Sequence, residues 1–421
     1  MPMGSEASLK QRILLLTTVR SYRLEAFRAA AERLGVEVVT GLDLPDALIG
    51  QWYGALPLNF TEVAQSAQQI ALYAESLPLA AILSVDDSGS LLAATASELL
   101  GLPHNNPAAA EAARNKSVMR RLLKAGGVPV PWFREYNTDD DPAVVAGEAP
   151  YPCVVKPINL NGSRGVMRAD NPEELRAAIG RLTRLITAES AAPRPYLVES
   201  YLAGIEVALE GMLDSGQLTV LALFDKPDPL EGPFFEETIY VTPSRLPAAT
   251  QEAIEAATAA AARALGLVSG PVHAELRLNE AGAWIIEIAG RSIGGLCSQV
   301  LRFGVDDSLE ELIVRQAAGL PLGDTTRRDR AAGVMMIPIP EAGLLREVSG
   351  VEEAAAVPLI ESVEITARLN YPLVPLPEGD SYLGFIFARG ETPEGVEVAL
   401  RQAHSRLKFK IDTLLPVLSF Q

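Results

Sequence analysis

Residues 272–288 constrain the fold of this chain more than any other stretch. Val272–Leu278 and Trp284–Ile288 are short runs of strand formers closed around the turn residues 279–282. Pairing Leu278 with Trp284 sets Glu275 directly opposite Glu287. Period-two alternation then places His273, Glu275, Glu287, Ala289 and Arg291 on one face, and Val272, Ala274, Leu276, Ile286 and Ile288 on the other. The second face is wholly apolar and must lie on a core, so the first gathers the charge. Cross-strand Cβ atoms stand ~5 Å apart, and two carboxylates that close repel unless a cation lies between them. Magnesium suits a pair of hard oxygen ligands, above all beside phosphates. The competing account is a solvated polar face on which each glutamate pairs with an arginine.

The rest of the chain frames this hairpin. With 421 residues and ~100–200 per domain, three units are expected. Strands at Arg12–Val19, Val36–Val39 and Ala80–Val85 alternate with a helix at Leu24–Leu34 and another ending near Gly101, which indicates an open parallel α/β layer over residues 1–105. Asn106 and Pro107 read as the cap and first residue of a helix running to about Lys124. From Val128 the texture turns antiparallel, with Cys153–Lys156 and Val166–Arg168 flanking the loop 158–165, and then strands at Tyr196–Glu199, Val207–Leu213 and Leu218–Phe224. A helix at Ala248–Leu265 precedes the hairpin, and a helix at Asp307–Gly319 follows it. Strands near Val334–Ile339, Val363–Ala367 and Leu383–Ala388, with a helix at Pro393–Leu407, make an α+β unit over residues 321–421.

Composition narrows the function. Hydrophobic residues at 48% and charged residues at 21% are those of a globular protein. Lys plus Arg is 36 against 53 Asp plus Glu, a net charge of −17 that repels a nucleic-acid backbone. The longest apolar stretches, such as Ile13–Leu16 and Leu79–Leu83, fall far short of the ~20 residues of a membrane span, and no secretory leader precedes them. Two cysteines in so long a chain, Cys153 and Cys297, read as buried thiols of a reduced, cytoplasmic protein.

Two further constellations carry chemistry. The loop Asn159-Leu160-Asn161-Gly162-Ser163-Arg164-Gly165 follows Val154-Val155-Lys156-Pro157; its small residues let backbone N–H groups approach phosphate oxygens, and Lys156 and Arg164 add positive charge. Taken alone it reads more readily as a plain surface loop. Val198-Glu199-Ser200-Tyr201-Leu202, with Glu206 just beyond, can offer backbone groups to an adenine edge and a carboxylate to ribose hydroxyls, or be an ordinary strand end.

Taken in order, these pieces resemble the ATP-grasp superfamily. The resemblance runs through Asn115-Lys116-Ser117-Val118-Met119, Gly126-Gly127-Val128-Pro129-Val130-Pro131, Val155-Lys156-Pro157, the glycine loop, Glu199 to Glu206, and Glu287-Ile288-Ala289-Gly290-Arg291, and covers roughly residues 1–320. It implies an ATP-grasp fold of mixed α/β and α+β type: an N-terminal open parallel sheet domain (1–105), a central two-subdomain region (106–320, its small lid about 128–200) and a C-terminal α+β unit (321–421). It implies that Lys116 and Lys156 contact ATP phosphates, that Asn161, Gly162, Ser163, Arg164 and Gly165 close over them, and that the segment of Glu199, Ser200, Leu202 and Glu206 holds the adenosine. Glu275 and Glu287 would bind one or two Mg²⁺, with Mn²⁺ as a substitute. Arg291 would steady an acyl phosphate and the tetrahedral intermediate. Lys226, in Asp225-Lys226-Pro227, would be a further ATP contact. Ala289 stands where many relatives have Asn, so a third protein ligand to the metal is missing. The Glu-Ile-Ala-Gly-Arg version looks like L-amino-acid ligases of the bacilysin type, in which Ser292, Gly294 and Gly295 would offer backbone donors to the substrate carboxylate. His273 would be a substrate contact or base, or a structural hydrogen-bonding residue.

The implied function is an ATP- and magnesium-dependent carboxylate–amine ligase. It would form an acyl phosphate, pass it to an amine, and release ADP and phosphate; the substrates would be small carboxylates and amines, amino acids foremost, and the protein a homodimer. Its rivals are a carboxylating or formyl-transferring enzyme of the same superfamily and a non-catalytic nucleotide-binding module. A nicotinamide dehydrogenase or a P-loop NTPase is disfavoured, since the first strand leads into no G-x-G-x-x-G and the chain has no G-x-x-x-x-G-K-[ST].

Overall fold

The computed structural model describes residues 11–413 apart from 20, 22, 45–54, 189–191 and 329, so the outer ends of the first and last expected units lie outside it. Arg12–Thr17 pairs in parallel with Glu37–Asp43 on one side and Ala81–Ser84 on the other, and Leu56–Leu58 completes a four-stranded parallel sheet. A strand covered on both faces needs apolar residues at every position, and Ile13 to Leu16 supply them. Ile13 and Leu15 enter one core while Leu14 and Leu16 enter another, as alternation requires. Two residues past the strand Ala81–Ser84, Asp86 caps the turn 87–89 by accepting from Ser88 N, and the helix Ser90–Leu100 follows.

The expected helix from Pro107 to Lys124 is two helices, Pro107–Arg114 and Lys116–Ala125. Asn115 leaves helical geometry (φ −108°, ψ 103°), and its side chain accepts from Ser117 N and Val118 N, capping the second helix. Lys116 therefore sits in a first turn, buried against the cleft described below.

Residues 133–200 carry their own four-stranded antiparallel sheet in the order Phe133–Asn137, Pro195–Ser200, Cys153–Pro157 and Met167–Ala169, covered by the helices Pro142–Glu148 and Pro172–Ile186. The main sheet has eight strands, ordered Gly282–Ala289, Gly270–Asn279, Ile205–Asp214, Gln217–Asp225, Ile239–Thr242, Ala331–Ile337, Gly384–Gly390 and Ile360–Ile365. Strands from beyond residue 330 thus continue the sheet that the central hairpins begin, joined through the pairing of Ile239–Thr242 with Ala331–Ile337. Both cysteines are free and buried, and burial pushes the Cys153 thiol up to about 12. Among the described residues no helix is long and apolar enough to cross a membrane.

Candidate active site

The hairpin strands Gly270–Asn279 and Gly282–Ala289 set Glu275 opposite Glu287, yet the turn end differs from the expected register. Arg277, not Leu278, faces Trp284, and a bulge beside Glu275 and Leu276 absorbs the extra residue. The bulge also exchanges two isoleucines between the faces: Ile285 is fully buried in the core, while Ile286 turns to the cleft beside Glu287.

That cleft opens between the main sheet and the sheet of residues 133–200. Lys116 and Lys156 line it, as do Asn161, Gly162 and Ser163 of the glycine loop. Glu199, Ser200, Leu202 and Glu206 form another wall, and His273, Glu275, Glu287 and Arg291 come from the hairpin and its exit. Gly162, Ser163 and Gly165 all have positive φ (62°, 56° and 75°), which costs Ser163 some strain and holds the loop in a tight arc. A side chain at Gly165 would meet Leu182, Leu185 and Pro157 at 3.0–3.1 Å.

The remaining predicted residues lie elsewhere. Arg164 and Gly165 turn to the C-terminal segment: Arg164 Nε donates to the Glu378 carbonyl at 2.8 Å, and Gly165 N donates to that of Pro377 at 2.7 Å. Glu378 also takes both guanidinium arms of Arg181, so residues 377–378 latch the glycine loop from outside. Lys226 does not line the cleft. Its ammonium is caged by Glu206 at 2.9 Å, by Glu237, and by Glu275 at 3.5 Å, below the ring of Tyr240. Ser292 accepts a 2.6 Å hydrogen bond from Arg23, and Gly294 and Gly295 lie beyond the cleft, Gly295 against Phe385.

Buried charges are paired across the cleft floor. Glu199 accepts from Arg120 Nε at 2.6 Å and pairs with Lys156 Nζ at 2.6 Å. Burial opposes the Glu199 charge, but Arg120 and Lys156 outweigh it and hold the carboxyl below its usual range. Burial likewise lowers Lys156, to about 8 despite Glu199. Lys116 Nζ lies 3.2 Å from Glu287 and donates to the Leu160 carbonyl at 2.8 Å. Burial disfavours the Arg291 cation too, but Asp87 at 2.7 Å keeps it firmly charged. The same Asp87 oxygen accepts from Asn161 at 3.0 Å, tying the glycine loop to Arg291.

His273 is buried, with Nδ1 2.5 Å from Glu210 and Nε2 3.3 Å from Glu275. Burial alone would discharge it; the Glu210 hydrogen bond and charge instead raise it to about 9. Glu275, although burial works against its charge, is held well below the usual carboxylate range by Lys226 and His273.

Residues 149–300 match the ATP-grasp domain family, and residues 335–412 match the L-amino acid ligase C-terminal domain 2 family. The chain belongs to the ATP-grasp ligases. The crystal structure of an L-amino acid ligase from Bacillus licheniformis superposes with a TM-score of 0.79 at 26% identity, covering 96% of this chain and 99% of that one. An uncharacterized protein y4rH of Sinorhizobium fredii is 26% identical over 382 residues, 91% of this chain and 75% of the relative. An alanine–anticapsin ligase of Bacillus subtilis is 29% identical over 255 residues, 55% of this chain; the chain spans about half of that ligase's length, 53%.

Enzymes of this superfamily bind ATP with Mg²⁺, and the donor set of this ATP-grasp chain fits a divalent ion. Glu206, Glu237 and Glu275 each offer an oxygen within 4.8 Å of the others, and Glu287 stands across the hairpin from Glu275. Lys226 and Lys116 answer these carboxylates here, as a cation would.

Three residues of this site escape sequence reasoning. Asp87 could have been found, since ligands of an open parallel sheet gather at the carboxyl ends of its strands and Asp87 follows one. Arg120 lies one turn after Lys116 on the face of Met119 and Leu123, yet spacing alone does not say that a guanidinium is fully buried there. Glu237, raised to about 7 by burial and by Glu275, sits in a stretch without periodicity.

Proposed function

We propose that this ATP-grasp enzyme is a carboxylate–amine ligase that activates a small carboxylic acid, foremost an amino acid, as an acyl phosphate and transfers it to an amine. One observation carries the reading. Arg291 walls both the lysine-bearing cleft and a second, open cavity between the N-terminal unit and the central sheet, so an acid bound through its carboxylate at Arg291 would face a nucleotide's γ-phosphate.

Lys116 and Lys156 offset phosphate charge, while the loop 161–163 brings backbone N–H groups over the phosphates. Glu275 and Glu287, aided by Glu206 and Glu237, are the residues that would hold a magnesium ion, which would offset phosphate charge. A carboxylate oxygen attacks the γ-phosphorus, ADP leaves, and the acyl phosphate remains beside Arg291. The amine then adds to the carbonyl carbon, phosphate departs with the former C–O bond, and the amine proton is lost. Arg291 stabilises the oxyanion between these steps. His273, with both ring nitrogens engaged by carboxylates, positions Glu275 rather than taking that proton.

Release of ADP and phosphate should require both an acid and an amine, and mass spectrometry should find their amide. Turnover driven by bicarbonate or formate alone would favour the carboxylating or formyl-transferring reading. Nucleotide binding without turnover of any acid would favour a binding module.

A further inference from the structure

Asp87 belongs to the N-terminal unit, yet its side chain bonds to both halves of the candidate active site. It stands in the turn 87–89, pinned by the Asp86 cap before it and by Ser90, whose hydroxyl donates to the Asp87 carbonyl at 2.9 Å. The residue is buried. A single carboxylate oxygen, Oδ2, accepts from Arg291 Nε at 2.7 Å and from Asn161 Nδ2 at 3.0 Å. These partners lie 204 and 74 residues away in the chain, so the two bonds belong to the meeting of three units and not to any local turn.

On one side, Asp87 decides which part of Arg291 is left for a substrate. Nε is taken by Asp87 and Nη1 by the Ser292 carbonyl at 2.9 Å, so among the described residues Nη2 is the nitrogen left to meet an acid's carboxylate. On the other side, Asp87 holds the near end of the loop 161–163 over the nucleotide cleft, while residues 377–378 hold its far end. Arg291 and Asn161 therefore share one carboxylate charge. A second carboxylate on Nη2 draws part of the Arg291 charge away from Asp87, and the oxygen so released bonds more strongly to Asn161. With the loop closed and Asn161 on Asp87, more of the Arg291 charge is in turn left for the acid. The two effects are one coupling, equal in both directions.

Resting on the ligase reading, we infer that Asp87 is a positioning residue that couples acid binding at Arg291 to closure of the glycine loop over ATP. It acts through Arg291 and Asn161. Acid and nucleotide then tighten each other's binding, and ATP is poorly enclosed, hence slowly hydrolysed, until an acid is present.

Calorimetric titration of a non-hydrolysable ATP analogue with Mg²⁺, without and with a saturating acid that drives ADP release, reads this coupling. In the unaltered protein the acid should tighten the analogue at least about fivefold, the low end for linked sites. Asp87→Ala and Asn161→Ala, which cut the link from opposite ends, should each bring that factor below about twofold, whatever they do to ATP affinity alone. A merely structural Asp87 would change stability or affinity and leave the factor in place. Should Asp87→Ala not fold, Asp87→Asn keeps the shape without the charge, and the factor should fall below about threefold. In turnover, the ratio of ADP release with acid to ADP release without it should drop at least about fivefold in the Asp87 variant that folds. A factor below about twofold in the unaltered protein, or variants that keep its factor, overturns the coupling and leaves the ligase reading standing. If no acid drives ADP release in the unaltered protein, the ligase reading falls and the coupling with it.

Discussion

Replacing Arg120 by Met removes the centre of the charge network under the cleft. Arg120 is fully buried, holds Glu199 through two contacts of 2.6 and 3.2 Å, and donates to the carbonyls of Ile285 and Ile286 at 3.0 and 2.8 Å. Stripping one partner from a buried ion pair costs ~3–5 kcal/mol. Lys156 remains 2.6 Å from Glu199, which favours the low end of that range. Each orphaned carbonyl adds ~1 kcal/mol. Arg120→Met should therefore destabilise the fold by about 5 kcal/mol, a large share of the ~5–15 kcal/mol typical of a domain. Urea denaturation followed by tryptophan fluorescence measures this, and a cycle with Glu199→Gln isolates the pair. The double variant should be less destabilised than the sum of the singles by ~2–3 kcal/mol. Additive effects, or a cost below ~1 kcal/mol for Arg120→Met, would refute the network.

Glu287→Gln should leave a folded protein with turnover reduced at least ~1000-fold at ordinary Mg²⁺, since it removes charge from the proposed metal face; near-normal activity would remove Glu287 from that role. Lys156, lowered by burial to about 8 from 10.5, is half charged near pH 8 in the free protein, and bound phosphates should restore its proton. ATP binding at pH 8 should thus take up about half a proton, seen by calorimetry in buffers of different ionisation heat, and affinity should fall at higher pH. For stability the sign is opposite: the cost of the buried cation is present below pH 8 and is relieved as pH rises toward 10.5. Glu378→Ala, which breaks the half-exposed pair with Arg181, should raise KM for ATP about two- to fivefold and speed proteolysis at the glycine loop; an unchanged KM would show that the latch is idle.

Much of the fold was legible because its signals are periodic. The apolar run at Ile13–Leu16, the helix limits at Leu24–Leu34 and Ala248–Leu265, and the facing glutamates of the hairpin all follow from spacing. The hairpin bulge was not legible, because Ile285 and Ile286 are the same residue and either could face the core. The helix break at Asn115 was hidden by an apolar pattern that continues through it, and only the side-chain cap reveals it. Phe133–Asn137 alternates too weakly to read as a strand, and Ile239–Thr242 gains its meaning from a partner strand some ninety residues away. At the site, sequence brought the lysines, the glycine loop and the hairpin carboxylates to one cleft. It missed that Lys226 is spent inside an acidic cage and that Glu199 answers Arg120, since both depend on long-range pairing.

The most direct test of carboxylate activation at Arg291 is interception of the activated acid. Enzyme, ATP, Mg²⁺ and hydroxylamine, incubated with single amino acids, should yield an acyl hydroxamate with equimolar ADP and phosphate for at least one acid. Arg291→Ala should suppress the hydroxamate far more than it weakens ATP binding, because its charge is needed most in the transition state. Release of AMP and pyrophosphate, or ADP formation without hydroxamate from any acid, would contradict the account.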